Sequence, residues 1–223
     1  MTIPTYIITL MNNALSIECA LRCEDSILQR TDIDPGLWAA NTPNSSHAAF
    51  CDRGLDSEHF IDNWSRKANA MACFLSHHDL WRKCRDLNEP IIILEHDAVM
   101  VTELPSKDHM NKYDIYNLGK PSYGRFNTIT SKDRPYEGKL FSTSGYLKGA
   151  HAYYVTPMGA KKLLDKAKHD AKPVDLFITD KDFNIGESIP WAFEAHDSFS
   201  TIQKKRGCIY KHKYNDEFKI IEA

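Results

Sequence analysis

The sequence predicts a single α/β domain with a mostly parallel central sheet flanked by helices. Short apolar segments rich in β-branched residues alternate with longer segments of helical periodicity, which is the pattern of an α/β protein. In addition, residues 91–94 (IIIL) form an apolar run without a polar break. Such a run is typical of a strand that is buried on both faces, at the centre of a parallel sheet.

The first predicted elements are a strand and a helix. Residues 5–10 (TYIITL) predict a core strand, and residues 12–13 (NN) end it. Apolar residues then recur at helical spacing from Ser16 onward, and Ser16 is expected to be the N-cap of this helix. The Asp-Pro-Gly sequence at residues 34–36 is typical of a turn, so we expect it to end this strand–helix unit.

The helix predicted at residues 65–87 has the clearest periodicity in the chain. One stripe at helical spacing consists of Met71, Phe74, Leu75, His78, Trp81 and Arg85. His78 is expected to be a core histidine, whereas His77 points about 100° away from the stripe. The helix leads through a short turn into the central strand at residues 91–94.

The second half of the chain continues the alternation of strands and helices. The predicted elements are a strand at 113–118, a loop at 120–138, a strand at 151–155, a helix at 158–169 that is capped by Thr156 and Pro157, a short helix from 173, and an edge strand at 185–193 that contains Pro190. The long loop is expected either to cover a ligand-binding site as a lid or to be a mobile surface loop. We divide the chain into a domain of residues 1–203 and a basic polar tail of residues 204–223.

Composition excludes two classes of protein. The formal net charge is −2, so the chain has no overall basic field that would favour nucleic acid. No segment reaches the ~20 consecutive apolar residues of a transmembrane helix, and residues 1–11 lack a basic leader. The six cysteines form no CxxC pair and are expected to be reduced thiols. We therefore expect a cytoplasmic protein that contacts membranes, if at all, peripherally through its basic tail.

Glu95, His96 and Asp97 directly follow the predicted central strand. The carboxyl ends of strands in an open α/β sheet meet at the crevice where ligands bind, so these side chains are placed to meet a substrate. The two carboxylates offer hard oxygen ligands for Mg²⁺ or Mn²⁺ holding a diphosphate. Glycosyl transfer from a nucleotide sugar needs such a cation, because the departing diphosphate gains charge. A solvated acidic turn is the other interpretation of this triplet.

Three segments together resemble glycosyltransferase family 25, the lipooligosaccharide-type and collagen-modifying galactosyltransferases. They are residues 71–77 (MACFLSH), residues 91–97 (IIILEHD), and residues 149–155 (GAHAYYV) followed by Pro-Val-Asp at 173–175. The resemblance covers about residues 65–180. It implies an inverting transferase with a GT-A-like fold, a UDP-sugar donor carrying a hexose such as galactose or glucose, and Mn²⁺ or Mg²⁺ as the cofactor.

The resemblance also implies roles for the residues around the triplet. Glu95 and Asp97 match the outer positions of the family's metal and donor motif, with Asp97 as the direct metal ligand. His96 stands where the family has an acid. Its ring either adds a nitrogen ligand, which would favour Mn²⁺, or is simply solvated.

Five further positions complete the predicted site. Thr9 and Leu10, at the end of the first strand, are expected near the nucleotide. Ser76 and His77 either contact the donor or tie the helix to the strand. Asp175 is a candidate for the catalytic base that takes the proton of the acceptor hydroxyl, and its alternative role is to cap a helix.

Two other functions remain open from the sequence. The first is a non-catalytic nucleotide- or glycan-binding protein of the same fold, in which the altered triplet no longer holds metal. The second is a metal-dependent phosphohydrolase that uses Glu95, Asp97 and nearby histidines.

Overall fold

The structure is a computed structural model that describes residues 2–58, 60, 65–121, 135–140, 145–196, 199–204 and 219–221. It is a mixed α/β protein with a large central sheet flanked by helices, as the sequence predicts. The helices are α1 (Ala14–Ile27), α2 (Ser46–Asp52), α3 (Lys67–Leu87), α4 (Lys107–Met110), α5 (Pro157–Asp170) and α6 (Val174–Phe177).

The strands form three sheets. They are β1 (Ile3–Thr9), β2 (Ile33–Ala39), β3 (Ile91–Glu95), β4 (Ala98–Met100), β5 (Ile115–Asn117), β6 (Gly119–Lys120), β7 (Tyr136–Lys139), β8 (Ala152–Val155), β9 (Ile185–Ile189), β10 (Phe193–Ala195), β11 (Phe199–Ser200) and β12 (Lys219–Ile220). The central sheet has seven strands in the order β2-β1-β3-β8-β5-β9-β7. Only β8 and β7 run against the direction of the other five.

Strand β3 lies in the middle of the central sheet and is buried on both faces. Ile91 and Ile93 pack into the core on the side of α3, while Ile92 and Leu94 pack into the core on the side of α1. Successive side chains of a strand point to opposite faces, so both faces of β3 must be apolar. This double burial is the physical reason for the unbroken apolar run.

Helix α3 covers one face of the sheet with the predicted stripe. Phe74 and Trp81 are fully buried, and the Trp81 ring stacks on Phe177 of α6 at a centroid distance of 5.5 Å. His78 is buried as expected, whereas Arg85, at the end of the stripe, is exposed. His77 is also fully buried, because its side chain points toward β3 and β8.

Two predicted boundaries near the amino terminus were wrong. The N-cap of α1 is Asn13, whose side chain accepts the backbone N–H of Ser16, so Ser16 lies inside the first turn. The Asp-Pro-Gly sequence at residues 34–36 is not a turn but lies within β2. Because β2 is an edge strand, the missing N–H of Pro35 costs no hydrogen bond within the sheet.

The prediction of an edge strand at residues 185–193 was also wrong. Strand β9 pairs with β5 on one side and with β7 on the other, so it is an interior strand. Pro190 follows the last residue of β9 and therefore does not interrupt the pairing. Residues 193–195 form β10 in a separate three-stranded sheet.

Part of the predicted loop and most of the predicted tail lie outside the described residues. Of the loop at 120–138, residues 122–134 are not described, and its end belongs to β7. Of the tail, residues 205–218 and 222–223 are not described, while β12 pairs with β11. The division into a domain and a tail stays a prediction. Among the described helices, none combines the length and the apolar character needed to cross a membrane.

We expect Trp81→Ala to lower the free energy of unfolding by about 3–5 kcal/mol, because it empties a fully buried aromatic site. Trp81→Phe keeps a ring against Phe177 and removes the indole N–H, so its loss should be smaller. Denaturant unfolding of both variants measures these losses. An unchanged stability in the alanine variant would contradict the assigned packing of α3.

Candidate functional site

A cleft opens at the carboxyl ends of β1 and β3. The two strands are parallel neighbours, and Ile8 pairs with Glu95, so the residues that follow both strands meet at one edge of the sheet. The cleft encloses about 510 Å³, including its open mouth. The residues that line it are Ile8, Leu10, Ala40, Asn41, Pro43, Asn69, Ala72, Cys73, Ser76, His77, Glu95, His96, Thr201 and Ile202.

Glu95 projects from the end of β3 toward α3. Its Oε1 atom lies 3.3 Å from Nε2 of His77 and 4.0 Å from Sγ of Cys73. Cys73 and His77 are four residues apart on α3, so they lie on the same face of the helix. The carboxylate is therefore held between the strand and the helix.

A chain of hydrogen bonds connects Glu95 to the core. The indole N–H of Trp81 donates to the hydroxyl of Tyr153 at 2.8 Å, and this hydroxyl lies 2.9 Å from Nδ1 of His77. Tyr153 is fully buried, and the only acceptor for its own proton among the described residues is Nδ1 of His77. The imidazole consequently carries its hydrogen on Nε2 and donates it to Glu95.

Carboxylates surround the thiol of Cys73. Burial raises the pKa of this thiol well above its usual value, and the negative charges of Glu95, Asp175 and Asp97 raise it further. A thiol with such a pKa stays protonated at neutral pH. The charges of three carboxylates thus act on a half-buried residue that lines the cleft.

The imidazole of His96 points toward α1 and β11 rather than toward Glu95. The Nδ1 atom of His96 lies 3.2 Å from Oγ of Ser16 on α1, and its ring stacks on Phe199 at 5.2 Å. The backbone carbonyl of Asp97 accepts the N–H of His196. The carboxylate of Asp97 raises the pKa of the buried Cys23 thiol, although burial itself is the larger cause.

His151 lies next to the same carboxylates. Burial lowers the pKa of this imidazole, while the charges of Asp97 and Glu95 act in the opposite direction. His151 directly precedes β8, whose first residue, Ala152, pairs with Leu94. The antiparallel pairing therefore brings His151 to the same edge as the acidic triplet.

Ser76 ties two walls of the cleft together. Its hydroxyl donates to the carbonyl of Ala72 and accepts the backbone N–H of Asn41, both at 2.9 Å. The side chain of Asn41 in turn donates to Asp79, which also binds Arg53 through two hydrogen bonds. The hydroxyl proton of Ser76 is thus used within the protein, in the bond to Ala72.

The two predicted residues of the first strand differ in exposure. Thr9 is fully buried, and its hydroxyl donates to the carbonyl of Ile7. Leu10 lines the cleft, and its backbone N–H donates to Oγ of Ser16 at 2.9 Å. Asp175 lies at the start of α6, is exposed and does not line the cleft, although its charge reaches Cys73.

The donor atoms indicate which residues fit a divalent cation. Among the described residues, Cys73, His77 and Glu95 are the one group of three possible ligands within 4.8 Å of one another. A protonated thiol and an imidazole that donates its Nε2 hydrogen are poor partners for Mn²⁺, which prefers oxygen. Glu95 and Asp97 supply such oxygens, and no lysine or arginine of the described chain lines the cleft to balance their charge. The charges of both carboxylates act on the same two groups, Cys73 and His151, so these are the oxygens that would hold a cation.

The sequence model of glycosyltransferase family 25 (LPS biosynthesis protein) matches residues 56–178, more than half of the chain. The chain belongs to glycosyltransferase family 25. The match includes α3, the acidic triplet, β8 and α6. The family 25 resemblance inferred from residues 65–180 is thereby confirmed.

Comparisons with other proteins add distant similarities. No curated protein matches the sequence. Protein A197 from STIV is similar in structure, with a TM-score of 0.46 and 11% identity, over 96% of each chain. A mutant β-1,4-galactosyltransferase 7 from Drosophila, in complex with manganese, UDP-Gal and xylobiose, has a TM-score of 0.38 and 9% identity, over 82% of this chain and 70% of its own.

Sequence reasoning missed four residues at or near the cleft: Cys73, Tyr153, His151 and Asn41. The spacing of Cys73 and His77 could have indicated a shared helix face. The other three depend on the antiparallel register of β8 and on the path of the chain after β2, for which the sequence carries no local signal.

Asp79→Asn is expected to destabilise the cleft wall in a pH-dependent way. Burial alone would raise the pKa of Asp79, but the nearby imidazole of His78 and the hydrogen bonds from Arg53 and Asn41 outweigh it and hold this pKa well below its usual value. A lowered folded-state pKa adds stability above the unfolded pKa of about 4, and this stability is lost as the pH falls toward the folded value.

The difference in unfolding free energy between wild type and Asp79→Asn should therefore be about 1–3 kcal/mol at pH 7 and shrink progressively below pH ~4. Denaturant titrations at several pH values measure it. Asp86→Asn, which removes an exposed carboxylate on the same helix, is the control and should show a much smaller difference. A difference that is independent of pH would contradict the network.

Proposed function

We propose that this family 25 chain is a metal-dependent inverting glycosyltransferase. It moves a hexose, galactose or glucose, from a UDP-sugar to a hydroxyl of a glycan or another acceptor. The observation that carries the proposal is the position of Glu95 and Asp97 at the end of a buried strand, beside a cleft that no cationic side chain of the described residues lines. The predicted GT-A-like organisation, with the nucleotide at the first strand, agrees with this position.

The residues in and around the cleft have different roles in binding. Leu10 and the backbone after β1 lie against the nucleotide, while Thr9 and Ser76 hold the surrounding backbone in place. His77 orients Glu95 by donating its Nε2 hydrogen. Glu95 and Asp97 would hold Mn²⁺ or Mg²⁺, which would supply positive charge to neutralise the departing diphosphate.

Asp175 is the proposed catalytic base. Inversion requires a carboxylate on the side of the sugar opposite the leaving diphosphate. Asp175 takes the proton of the acceptor hydroxyl, the hydroxyl oxygen bonds to the anomeric carbon, and the bond from that carbon to the diphosphate oxygen breaks to release UDP. Asp175 is exposed on α6 and is therefore accessible to an acceptor. Its charge raises the pKa of Cys73, a residue of the cleft, which supports a position near the cleft.

The biological setting is a separate part of the proposal. The family description refers to lipopolysaccharide biosynthesis, and we propose an acceptor of the surface-glycan type on the cytoplasmic side of a membrane. Contact with that membrane would be peripheral, through the basic tail of residues 204–223. The basic residues 205–206, 211 and 213 of this tail lie outside the described residues.

A thermal-shift screen of UDP-sugars, with and without Mn²⁺, tests the proposed function directly. We expect one UDP-hexose to raise the melting temperature more with Mn²⁺ than with EDTA, and the same sugar to be hydrolysed slowly without an acceptor. UDP binding without any turnover would favour the non-catalytic alternative. Release of phosphate from simple esters would favour the phosphohydrolase.

Asp97→Ala is expected to reduce turnover by at least 100-fold, because a metal-holding carboxylate stabilises the charged transition state. Its melting temperature should stay close to that of wild type. Asp25→Ala, an exposed position on α1, is the matched control and should retain activity. Wild-type turnover in the Asp97 variant would remove this residue from the mechanism.

Asp175→Asn is expected to lower kcat by about 100-fold or more, because it removes the general base. Binding of UDP and Mn²⁺ should be unchanged, since the base contacts the acceptor and not the donor. Steady-state kinetics with calorimetric UDP titration separates the two effects. Asp170→Asn, at the end of α5, serves as the control, and an equal kcat in both variants would refute the assignment.

A further inference from the structure

We propose that His96 is a hydrogen-bond donor to a phosphate oxygen of the nucleotide donor, through its Nε2–H. This inference rests on the proposed function and names the group that recognises the diphosphate. His96 is the central residue of the acidic triplet. An acid at this position would accept hydrogen bonds or bind a cation, whereas His96 in the proposed role donates a hydrogen bond.

The hydroxyl of Ser16 fixes which ring nitrogen of His96 carries the hydrogen. Oγ of Ser16 accepts the backbone N–H of Leu10 at 2.9 Å, and Ser16 is fully buried. Within the described part of the chain, the remaining partner of this hydroxyl is Nδ1 of His96, at 3.2 Å. A buried hydroxyl needs an acceptor for its proton, so it donates to Nδ1. The neutral ring then carries its hydrogen on Nε2.

The ring is also held in one orientation. Phe199 stacks on it with ring centroids 5.2 Å apart and planes only 7° from parallel. With Nδ1 bonded to α1 and one ring face covered by β11, Nε2 is the polar atom of the ring that remains for a ligand. Among the described residues it has no partner, and His96 is one of the side chains that line the cleft.

His96 is one of the few side-chain N–H donors among the described residues that line the cleft. No lysine or arginine of the described chain lines the cleft, so a diphosphate entering it meets few fixed N–H donors from side chains. Leu10, whose N–H is already bonded to Ser16, lies at the end of β1 where the nucleotide is proposed to bind. His96 is thus placed between the nucleotide end of the cleft and the carboxylates proposed to hold the cation.

Calorimetric titration with UDP, UMP and uridine tests this inference, each measured in Mn²⁺ and in EDTA. We expect His96→Ala to weaken UDP binding about 10-fold in both conditions, as loss of a hydrogen bond to a charged group predicts. His96→Asp, which restores an acid, should weaken UDP binding in EDTA further because it repels the phosphates. His96→Gln, which retains a side-chain N–H, should recover most of the affinity.

Uridine and UMP identify which group is bound. Uridine should bind all variants equally, and a loss for UMP as large as the loss for UDP would place the contact at the α-phosphate. His47→Ala is the matched control, because His47 is also bonded to a serine hydroxyl, that of Ser57, but does not line the cleft. Its affinity for UDP should equal that of wild type.

Two results overturn the inference and are distinguishable from a failure of the proposed function. UDP affinity that is equal in wild type, His96→Ala and His96→Asp would show that His96 does not contact the phosphates. Equal losses of affinity for uridine and UDP would show that it contacts the nucleoside instead. If wild type bound no uridine nucleotide in either condition, the proposed function itself would fail, and the inference with it.

Discussion

The hydrogen bond between His77 and Glu95 connects the core of the protein to its cleft. A glutamate at a strand end has enough rotatable bonds to take several orientations. Here the imidazole limits them, because its other nitrogen is tied to Tyr153, and Tyr153 is tied to Trp81. The buried polar side-chain atoms of Trp81, Tyr153 and His77 all have partners, so reorienting Glu95 away from His77 would leave a buried N–H unpaired. The packing of α3 on the sheet thereby sets the position of a cleft carboxylate.

The positions of β3, β8 and α3 explain why residues so far apart in sequence form one site. Strand β3 is apolar on both faces and therefore lies at the centre of the sheet, where α3 covers it on one side. Strand β8 pairs antiparallel with β3, which brings Tyr153 beside Ile93 and His151 beside the acidic triplet. The cleft at this edge is built on the most buried elements of the fold, which hold it rigidly. A charged, preorganised site requires such rigid support.

Sequence predicted the parts of this arrangement that depend on local periodicity. The double burial of β3, the stripe of α3 and the Thr156-Pro157 start of α5 all follow from residue spacing, and the structure has each of them. Position along a sheet does not follow from spacing, so Pro190, which predicts an edge strand, instead follows an interior strand. The apolar stripe of α3 does not predict the burial of His77, because burial of a polar ring depends on partners from other strands. Cys73 and Tyr153 were missed for the same reason.

The two histidines of the site show how hydroxyl groups determine the chemistry of imidazole. In both, Nδ1 faces a buried hydroxyl that accepts another N–H, Tyr153 for His77 and Ser16 for His96. In both, the hydrogen is therefore directed to Nε2. At His77 this hydrogen meets a carboxylate and fixes it, so the ring has a structural role. At His96 the same hydrogen belongs to a cleft residue without a partner in the described chain, and a phosphate oxygen is the ligand whose charge matches it. In the proposed role, the histidine that stands where family 25 has an acid would donate a hydrogen bond to an anion, while the carboxylates on either side, Glu95 and Asp97, are retained.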